Sequence, residues 1–351
     1  MKNLKRVRIK NSDKLNMFAE LRTMLTAGLP ILGVVDLLAE DAKGGLKIFL
    51  DTLKEDISGG RTISSTMAKF PAAFDKVTTS VVKAAEESGT LESSLKDIQT
   101  NLHKEIQFND KIRSAALYPV IVFVVFLLVI LVILTFVIPK ISTVFTALKI
   151  PLPLPTKILI FFSNAVLYHL IYVLGILGAI MAASAFVYFR KREWLTKFFF
   201  SIPLISGLVR QIDWARFSRA LSLLLDAGLP IVTSLDLAKE VVVKKEVHKI
   251  IAEASDMIAS GKQLSESFNK YRKIVPKIMI KLIESGEKTG SLGESMQYVS
   301  EHMDYQVEKK LATVTALLEP ALLLLIGLVV GAIMLSIIGP IYSLIGQIGP
   351  K

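Results

Sequence analysis

Four histidines and one glycine-rich turn are the places in this sequence where residue type and spacing could support catalysis or ligand binding. The histidines show neither the H-x-x-x-H nor the H-E-x-x-H spacing that brings two imidazoles together around a metal ion; they are His103, His169, His248 and His302. The segment Ser58-Gly-Gly-Arg61 lacks the G-x-x-x-x-G-K-[ST] pattern of a loop that binds nucleotide phosphates. The chain has no cysteine, which excludes disulfides, thiolate metal sites and cysteine nucleophiles. The sequence therefore predicts no catalytic residue, no cofactor, no metal site and no enzymatic activity.

Two glutamates, Glu86 and Glu287, carry the most informative charges. Each lies just before a predicted helix break, at a C-terminal end where negative charge opposes the helix dipole. We expect each carboxylate to be compensated by a buried Arg or Lys, or by backbone donors of the following turn. A structural clasp of that turn is favoured over a contact with a partner protein, and both interpretations stay open.

These glutamates belong to an internal repeat. The stretch LTAGLPI at 25–31 returns as LDAGLPI at 225–231, and matched residues continue through both copies to the following apolar runs. The matched pairs include Ala27/Ala227, Gly28/Gly228, Leu29/Leu229, Pro30/Pro230, Ile31/Ile231, Asp36/Asp236, Leu37/Leu237, Gly60/Gly261, Ser64/Ser265, Thr66/Ser267, Glu86/Glu287, Gly89/Gly290, Leu91/Leu292, Ser94/Ser295, Pro119/Pro320 and Pro139/Pro340. In each AGLP stretch the glycine is expected to end one helix and the proline to open the next. Structural roles are therefore favoured at Gly28, Pro30, Gly228 and Pro230.

Three apolar segments are long enough to cross a bilayer, which takes about 20 residues. They are Val120–Ile138, Ile158–Phe189 and Ala321–Gly339. Pro119 and Pro320 precede the first and third segments, where a proline either bends the incoming helix or simply starts a new one. The first alternative makes them joints that transmit movement of a helical bundle to a membrane helix.

The segments between the apolar runs read as helices. In the first copy, breaks are predicted at Gly28–Pro30, at 58–60, at Pro71 and at 88–89, with Ser64 as a helix N-cap. No alternating strand pattern occurs, so each copy is predicted to be a bundle of about six helices. We refer to residues 12–115 as the first repeat and to residues 214–319 as the second repeat.

The fold class predicted is an all-α membrane protein with two homologous six-helix cytoplasmic bundles and three transmembrane helices. The basic residues 190–192 and the basic N-terminus favour the cytoplasm for both bundles. Charges of both signs are mixed in both bundles, which favours solvated surfaces near membrane lipid over nucleic-acid binding.

The predicted order is a basic N-terminal segment at 1–11, the first cytoplasmic domain at 12–115, transmembrane helix 1 at 116–139, an external loop at 140–157, transmembrane helix 2 at 158–189, the second cytoplasmic domain at 190–319, transmembrane helix 3 at 320–345 and an external C-terminus at 346–351.

The doubled AGLP motif, the paired E-x-x-G-x-L sets and the three-span layout resemble the type II secretion system F family, which includes inner-membrane platform proteins of type IV pili and of type II secretion. The resemblance extends from about Met17 to Pro340. It implies a bacterial inner-membrane protein that forms homo-oligomers and works with a cytoplasmic hexameric ATPase, pilin or pseudopilin subunits and other inner-membrane assembly proteins. Many members carry several dozen residues before the first domain; the early start here leans toward a type IVb-like pilus system.

A small membrane transporter or channel component is the alternative from another functional class. Transporters place ionisable or unwound polar positions near the bilayer midplane. Here two spans have no charge and the middle one offers only Asn164 and His169. A platform protein is therefore favoured, and ion flux through the purified protein would separate the two.

Overall fold

The computed structural model describes residues 4–147, 154–168 and 203–348. Residues 169–189 of the predicted middle span, including His169, and the basic cluster at 190–192 lie outside the described residues. Every regular element in the described part is helical, and no strand occurs there.

The first repeat contains five short helices followed by one long helix. Their bounds are α1 Asn11–Thr26, α2 Ile31–Asp41, α3 Gly44–Ser58, α4 Ile63–Met67, α5 Lys76–Ser88 and α6 Leu91–Val132. A π-helical segment, Ile133–Val137, and α7 Ile138–Ala147 follow α6 directly. The boundary predicted at 115/116 therefore lies inside a helix, and the helix continues into the segment predicted as an external loop.

The second repeat follows the same order. After α8 Leu154–Tyr168, its helices are α9 Pro203–Asp226, α10 Ile231–Ala238, α11 Lys245–Ala259, α12 Leu264–Asn269, α13 Lys277–Thr289 and α14 Leu292–Ile348. A 3₁₀ turn, Lys239–Val241, lies between α10 and α11.

The helix breaks follow glycine and proline as the sequence predicts. Gly28 and Gly228 have φ of 82° and 78°, a left-handed conformation that glycine adopts without a steric penalty. Pro30 and Pro230 occupy the N-cap positions of α2 and α10. The predicted cap at Ser64 is wrong: Thr62 is the N-cap of α4 and accepts a 3.2 Å bond from the Ser65 amide, while Ser64 is buried inside the helix.

Each repeat has its own aromatic core. In the first repeat, the Phe49 ring centroid lies 5.3 Å from that of Phe70 and 4.7 Å from that of Phe74. In the second, Trp214 packs edge-on against Phe217 and Phe268 at 5.8 and 5.9 Å. The repeats therefore share helix order but not core composition.

An equivalent backbone carbonyl accepts a side-chain hydrogen bond in both repeats, but the donor side chain differs. Trp214 Nε1 donates to the Ile274 carbonyl at 3.3 Å, and at the equivalent positions Lys14 Nζ donates to the Ala73 carbonyl at 3.0 Å. Burial lowers the pKa of Lys14, while the Asp75 and Glu105 carboxylates oppose that change. The shared feature is a satisfied carbonyl between α4 and α5 of the first repeat and between α12 and α13 of the second.

Two helices of the described part are long and apolar enough to cross a membrane. The first apolar segment is Ile121–Thr143, and the second lies in the helix that begins at Leu292. Their large apolar side chains are mostly exposed, including Leu128, Leu324 and Leu335. Such exposure is typical of a surface that faces lipid or another apolar partner. The chain divides into two compact units, Met1–Lys111 with Gly207–Lys309 and Ile112–Ser206 with Lys310–Lys351.

Candidate functional site

Glu86 binds the start of another helix in the first repeat. Its Oε1 accepts from the Ile63 amide at 2.5 Å and its Oε2 accepts from the Ser64 amide at 3.0 Å. These two N–H groups belong to the first turn of α4, where no backbone acceptor within the helix reaches them. The positive end of the helix dipole also stabilises a negative charge there. The glutamate thus caps α4 from α5, and we call this arrangement the clasp.

Glu287 forms the same clasp in the second repeat. Its Oε1 accepts from the Leu264 amide at 2.5 Å and its Oε2 from the Ser265 amide at 3.2 Å, at the start of α12. Of the two sources of compensation expected from the sequence, backbone donors are therefore the ones used. The expected donors were those of the turn that follows the glutamate. The observed donors instead lie at a helix start, 22 and 23 residues earlier in the chain.

A left-handed glycine ends each helix that carries a clasp glutamate. Gly89 and Gly290 have φ of 72° and 73° and form the C-caps of α5 and α13. The chain can therefore turn sharply into the long helix. Around this turn the second repeat is packed more tightly, since a Cβ added at Gly286 would lie 2.5 Å from Ser295 Oγ. The first repeat has Ala85 at that position.

Asp213 is another carboxylate that binds two backbone amides of a distant segment, and it was not predicted from the sequence. It is fully buried, and it accepts from the Val243 and Lys244 amides at 3.0 and 2.8 Å, just before α11. Burial raises the pKa of Asp213, although both amide donors act in the opposite direction. The signals in the sequence are an acidic residue amid an apolar stripe and a matching acidic residue, Asp13, at the equivalent position of the first repeat.

Asp56 is also a buried carboxylate, and it organises polar groups of the first repeat. It pairs with Lys69, accepts from Arg61 Nη1 at 2.9 Å and accepts from Thr66 Oγ1 at 2.7 Å. These donors hold the pKa of Asp56 below its usual value even though burial acts to raise it. The network satisfies the charge internally, so it has a structural explanation.

Arg219 lies where the two repeats meet. Its guanidinium pairs with Asp304 of the second repeat through Nη2, and it lies over the Phe108 ring of the first repeat at 5.3 Å. Burial raises the pKa of Asp304, and the neighbouring Arg219 charge counteracts this. Neither Arg219 nor Asp304 has a charged equivalent in the first repeat, so comparison of the two copies could have singled them out.

The predicted joints lie inside continuous helices. Pro119 is within α6, 28 residues after its first residue, and Pro320 is 28 residues into α14. Neither proline starts a helix in this structure. Because proline has no amide hydrogen, each helix lacks one backbone hydrogen bond at that point.

No arrangement in the described residues resembles a catalytic centre. His103 and His302 each face a glutamine four residues ahead, and no group of three or more His, Cys, Asp or Glu in this part is placed to hold a metal ion. The matched polar features instead fix helix starts and helix ends. The described site is therefore a pair of equivalent structural clasps, one in each repeat, together with contacts between the repeats.

Comparison with known proteins identifies the repeated unit. The family model for protein F of the type II secretion system matches the chain twice, at residues 17–139 and 217–340. The type IV pilus assembly protein PilC of Thermus thermophilus is 30% identical over 332 residues, covering 94% of this chain and 82% of that protein. The PilC protein of Myxococcus xanthus is 28% identical over 343 residues, covering 97% and 82%. The type II secretion system protein F of Pseudomonas aeruginosa is 29% identical over 338 residues, covering 94% and 82%. The two family matches together span well over half of the chain, which belongs to the type II secretion system protein F family.

Proposed function

We propose that this protein is a non-enzymatic inner-membrane platform that couples a cytoplasmic hexameric ATPase to assembly of type IV pilus or type II secretion pseudopilus subunits. The observation that carries the proposal is the duplicated unit: each family match contains a helical repeat whose last helix continues into an apolar stretch. Relatives named for pilus assembly and for type II secretion match at similar identity, so the proposal keeps both systems.

The layout proposed with this function is two six-helix cytoplasmic domains, at 12–115 and 190–319, and three spans at 116–139, 158–189 and 320–345. Of the three proposed spans, one belongs to each duplicated unit. The middle span lies between the units and has no counterpart in the repeat. That helix returns the chain to the first side of the membrane, so both domains can act in one compartment. The proposed partners are the ATPase, pilin or pseudopilin subunits, other inner-membrane assembly proteins and further copies of this chain.

Within this function we assign Glu86 and Glu287 a structural role. Both carboxylate oxygens of each residue already accept backbone hydrogen bonds, which leaves little capacity for a partner. Gly28, Pro30, Gly89, Gly228, Pro230 and Gly290 set the helix turns around them. Pro119 and Pro320 remain proposed joints between the bundles and the apolar helices.

The proposal is tested by deleting the gene in its own organism and measuring surface filaments and secreted proteins. We expect filaments or secretion to be lost while prepilin still accumulates in the membrane, and a plasmid copy should restore assembly. The ATPase should also co-purify with the full chain. Normal filaments together with normal secretion in the deletion strain would overturn the proposal.

The transporter alternative has its own measurement. The purified chain in liposomes should give no ion flux above protein-free vesicles. A flux that depends on this protein and saturates with substrate would favour the alternative.

A further inference from the structure

Three ion pairs between the repeats share one polarity. Lys76 pairs with Glu240 at 3.3 Å, Lys104 with Glu301 at 2.9 Å and Lys111 with Glu308 at 2.5 Å. In each pair the lysine belongs to the first repeat and the glutamate to the second. We call the surfaces that carry these residues the lysine face and the glutamate face.

Two of these pairs follow one regular pattern along the long helices. Lys104 and Lys111 are seven residues apart on α6, and Glu301 and Glu308 are seven residues apart on α14. Seven residues are two helical turns, so each pair of charges lies on one side of its helix. This arrangement corresponds to the flanking charges that select partners in coiled coils.

Pairing of like repeats would lose the two pairs on the long helices. The third pair does not distinguish the repeats, because Lys76 and Glu240 have equivalents of the same charge, Lys277 and Glu40. At the positions equivalent to Glu301 and Glu308, the first repeat has Thr100 and Gln107. Lys104 and Lys111 would therefore meet neutral residues if two first repeats associated through this surface. At the positions equivalent to Lys104 and Lys111, the second repeat has Tyr305 and Ala312, so two second repeats would leave Glu301 and Glu308 unpaired.

Two arginine contacts between the repeats show the same asymmetry. Arg219 lies over Phe108, and Arg216 Nη2 donates to Asn109 Oδ1 at 3.3 Å. The first repeat has Ala19 and Asn16 where the second has these two arginines. Two first repeats would thus lack both guanidinium contacts.

We propose that the lysine and glutamate faces specify pairing of the first repeat with the second and exclude pairing of like repeats through this surface. The partner of each face is the opposite repeat of the same chain, as in this structure. Exposed ion pairs contribute little affinity, but these pairs form only when opposite repeats meet, so they act mainly on specificity. The inference concerns selection of the interface and does not depend on the proposed function.

Cross-linking in the full chain tests the proposal, because the chain contains no native cysteine. Asn109→Cys and Arg216→Cys place one thiol on each repeat at a recorded contact, and a short bismaleimide reports their proximity. In this background, Lys104→Glu with Lys111→Glu should reduce the yield of the 109–216 link about tenfold or more. Glu301→Lys with Glu308→Lys should do the same. Combining all four substitutions restores opposite charges and should return the yield to within about twofold of the starting chain.

A matched control reverses two exposed lysines that pair within the first repeat, Lys54→Glu with Lys83→Glu. This control changes net charge equally and should leave the link intact. Chains that carry Asn109→Cys alone report pairing of two first repeats and should form few covalent dimers. Unchanged linking in the reversed variants, failure of the fourfold variant to recover, or dimers through position 109 as abundant as the 109–216 link would each overturn the proposal.

Discussion

At the residue scale, each repeat depends on one carboxylate that acts at a distance. The short helices α4 and α12 begin with two amides that no residue of their own turn satisfies, and Glu86 and Glu287 supply both acceptors. A helix of five or six residues has little stability of its own, since nucleation fixes several residues for one hydrogen bond. The clasp therefore holds the short helix onto the next one.

Removing the clasp should destabilise its repeat. Glu86→Ala and Glu287→Ala are each expected to lower the free energy of unfolding by about 1–2 kcal/mol, as loss of a helix cap does. Denaturant unfolding of the detergent-solubilised chain measures this. Glu87→Ala is the control, because that neighbouring side chain is 69% exposed and should change stability by less than about 0.5 kcal/mol. Equal losses at 86 and 87, or an assembly defect at 86 without lost stability, would contradict the structural role.

The clasp also marks how far the sequence could lead. Glu86 and Glu287 could be selected because they recur before a glycine break, and a need for compensation by a buried Arg or Lys or by backbone donors follows from the helix dipole. The identity of those donors could not be derived, because they lie 22 and 23 residues away and meet the carboxylate only after the helices pack. At α4 the cap was misplaced by two residues, since Thr62 and Ser64 are both suitable caps by residue type and only the path of the chain distinguishes them.

At the element scale, carboxylates from other helices fix one helix start of the second repeat and the segment just before another. Glu287 holds the start of α12, and Asp213 holds the approach to α11. Local signals locate the helices themselves well, because Gly28 and Pro30 act within a single turn. The contact of Arg219 with Asp304 joins residues 85 apart in sequence, so no periodicity within one helix could reveal it.

Asp213 should make stability depend on pH. Burial raises its pKa above the ordinary aspartate value, so the folded state binds the proton more tightly than the unfolded state does. Its contribution to stability is therefore full below the ordinary pKa and is lost as pH rises through the raised pKa. We expect Asp213→Asn to reduce the fall in melting temperature between pH 4 and pH 7, measured by thermal unfolding of the full chain. Asp13 is the equivalent residue of the first repeat and lies at a half-buried site, so Asp13→Asn is the comparison and should change the profile less than Asp213→Asn does. An unaltered profile in Asp213→Asn would show that the two amide donors outweigh burial.

The prolines of the long helices belong to the same scale. Since α6 and α14 continue through Pro119 and Pro320, alanine there should strengthen each helix by up to about 3 kcal/mol in local propensity. If the prolines act as joints, Pro119→Ala with Pro320→Ala should preserve membrane insertion and ATPase co-purification yet reduce filament assembly, counted by electron microscopy. Pro71→Ala, in the turn between α4 and α5, is a control outside the long helices. Wild-type filament numbers in the double variant would reject the joint.

At the scale of the whole molecule, duplication and divergence have separate consequences. The repeats keep helix order, clasps and glycine turns, which are properties of a single bundle. They differ at the lysine and glutamate faces and at Arg219, which are properties of the contact between bundles. A repeat that must bind the other repeat needs a different contact surface from it, because identical surfaces would pair equally well with a like copy.

The arrangement across the membrane gives the last prediction. Two apolar helices, in α6–α7 and in α14, each follow a repeat in the chain, and the repeats contact each other within one compact unit. Contact between them requires both repeats on one side of the membrane, so the chain must cross it an even number of times between residues 111 and 207. In the proposed layout the first apolar helix supplies one crossing and the span at 158–189 supplies the second. Reporter fusions near residues 100 and 260 should therefore give cytoplasmic signals, and fusions near 148 and 350 should give periplasmic signals. A fusion near 10 serves as the reference for the cytoplasmic side. If the fusions near 100 and 260 reported opposite sides, both the platform layout and the contact between the lysine and glutamate faces within one chain would be wrong.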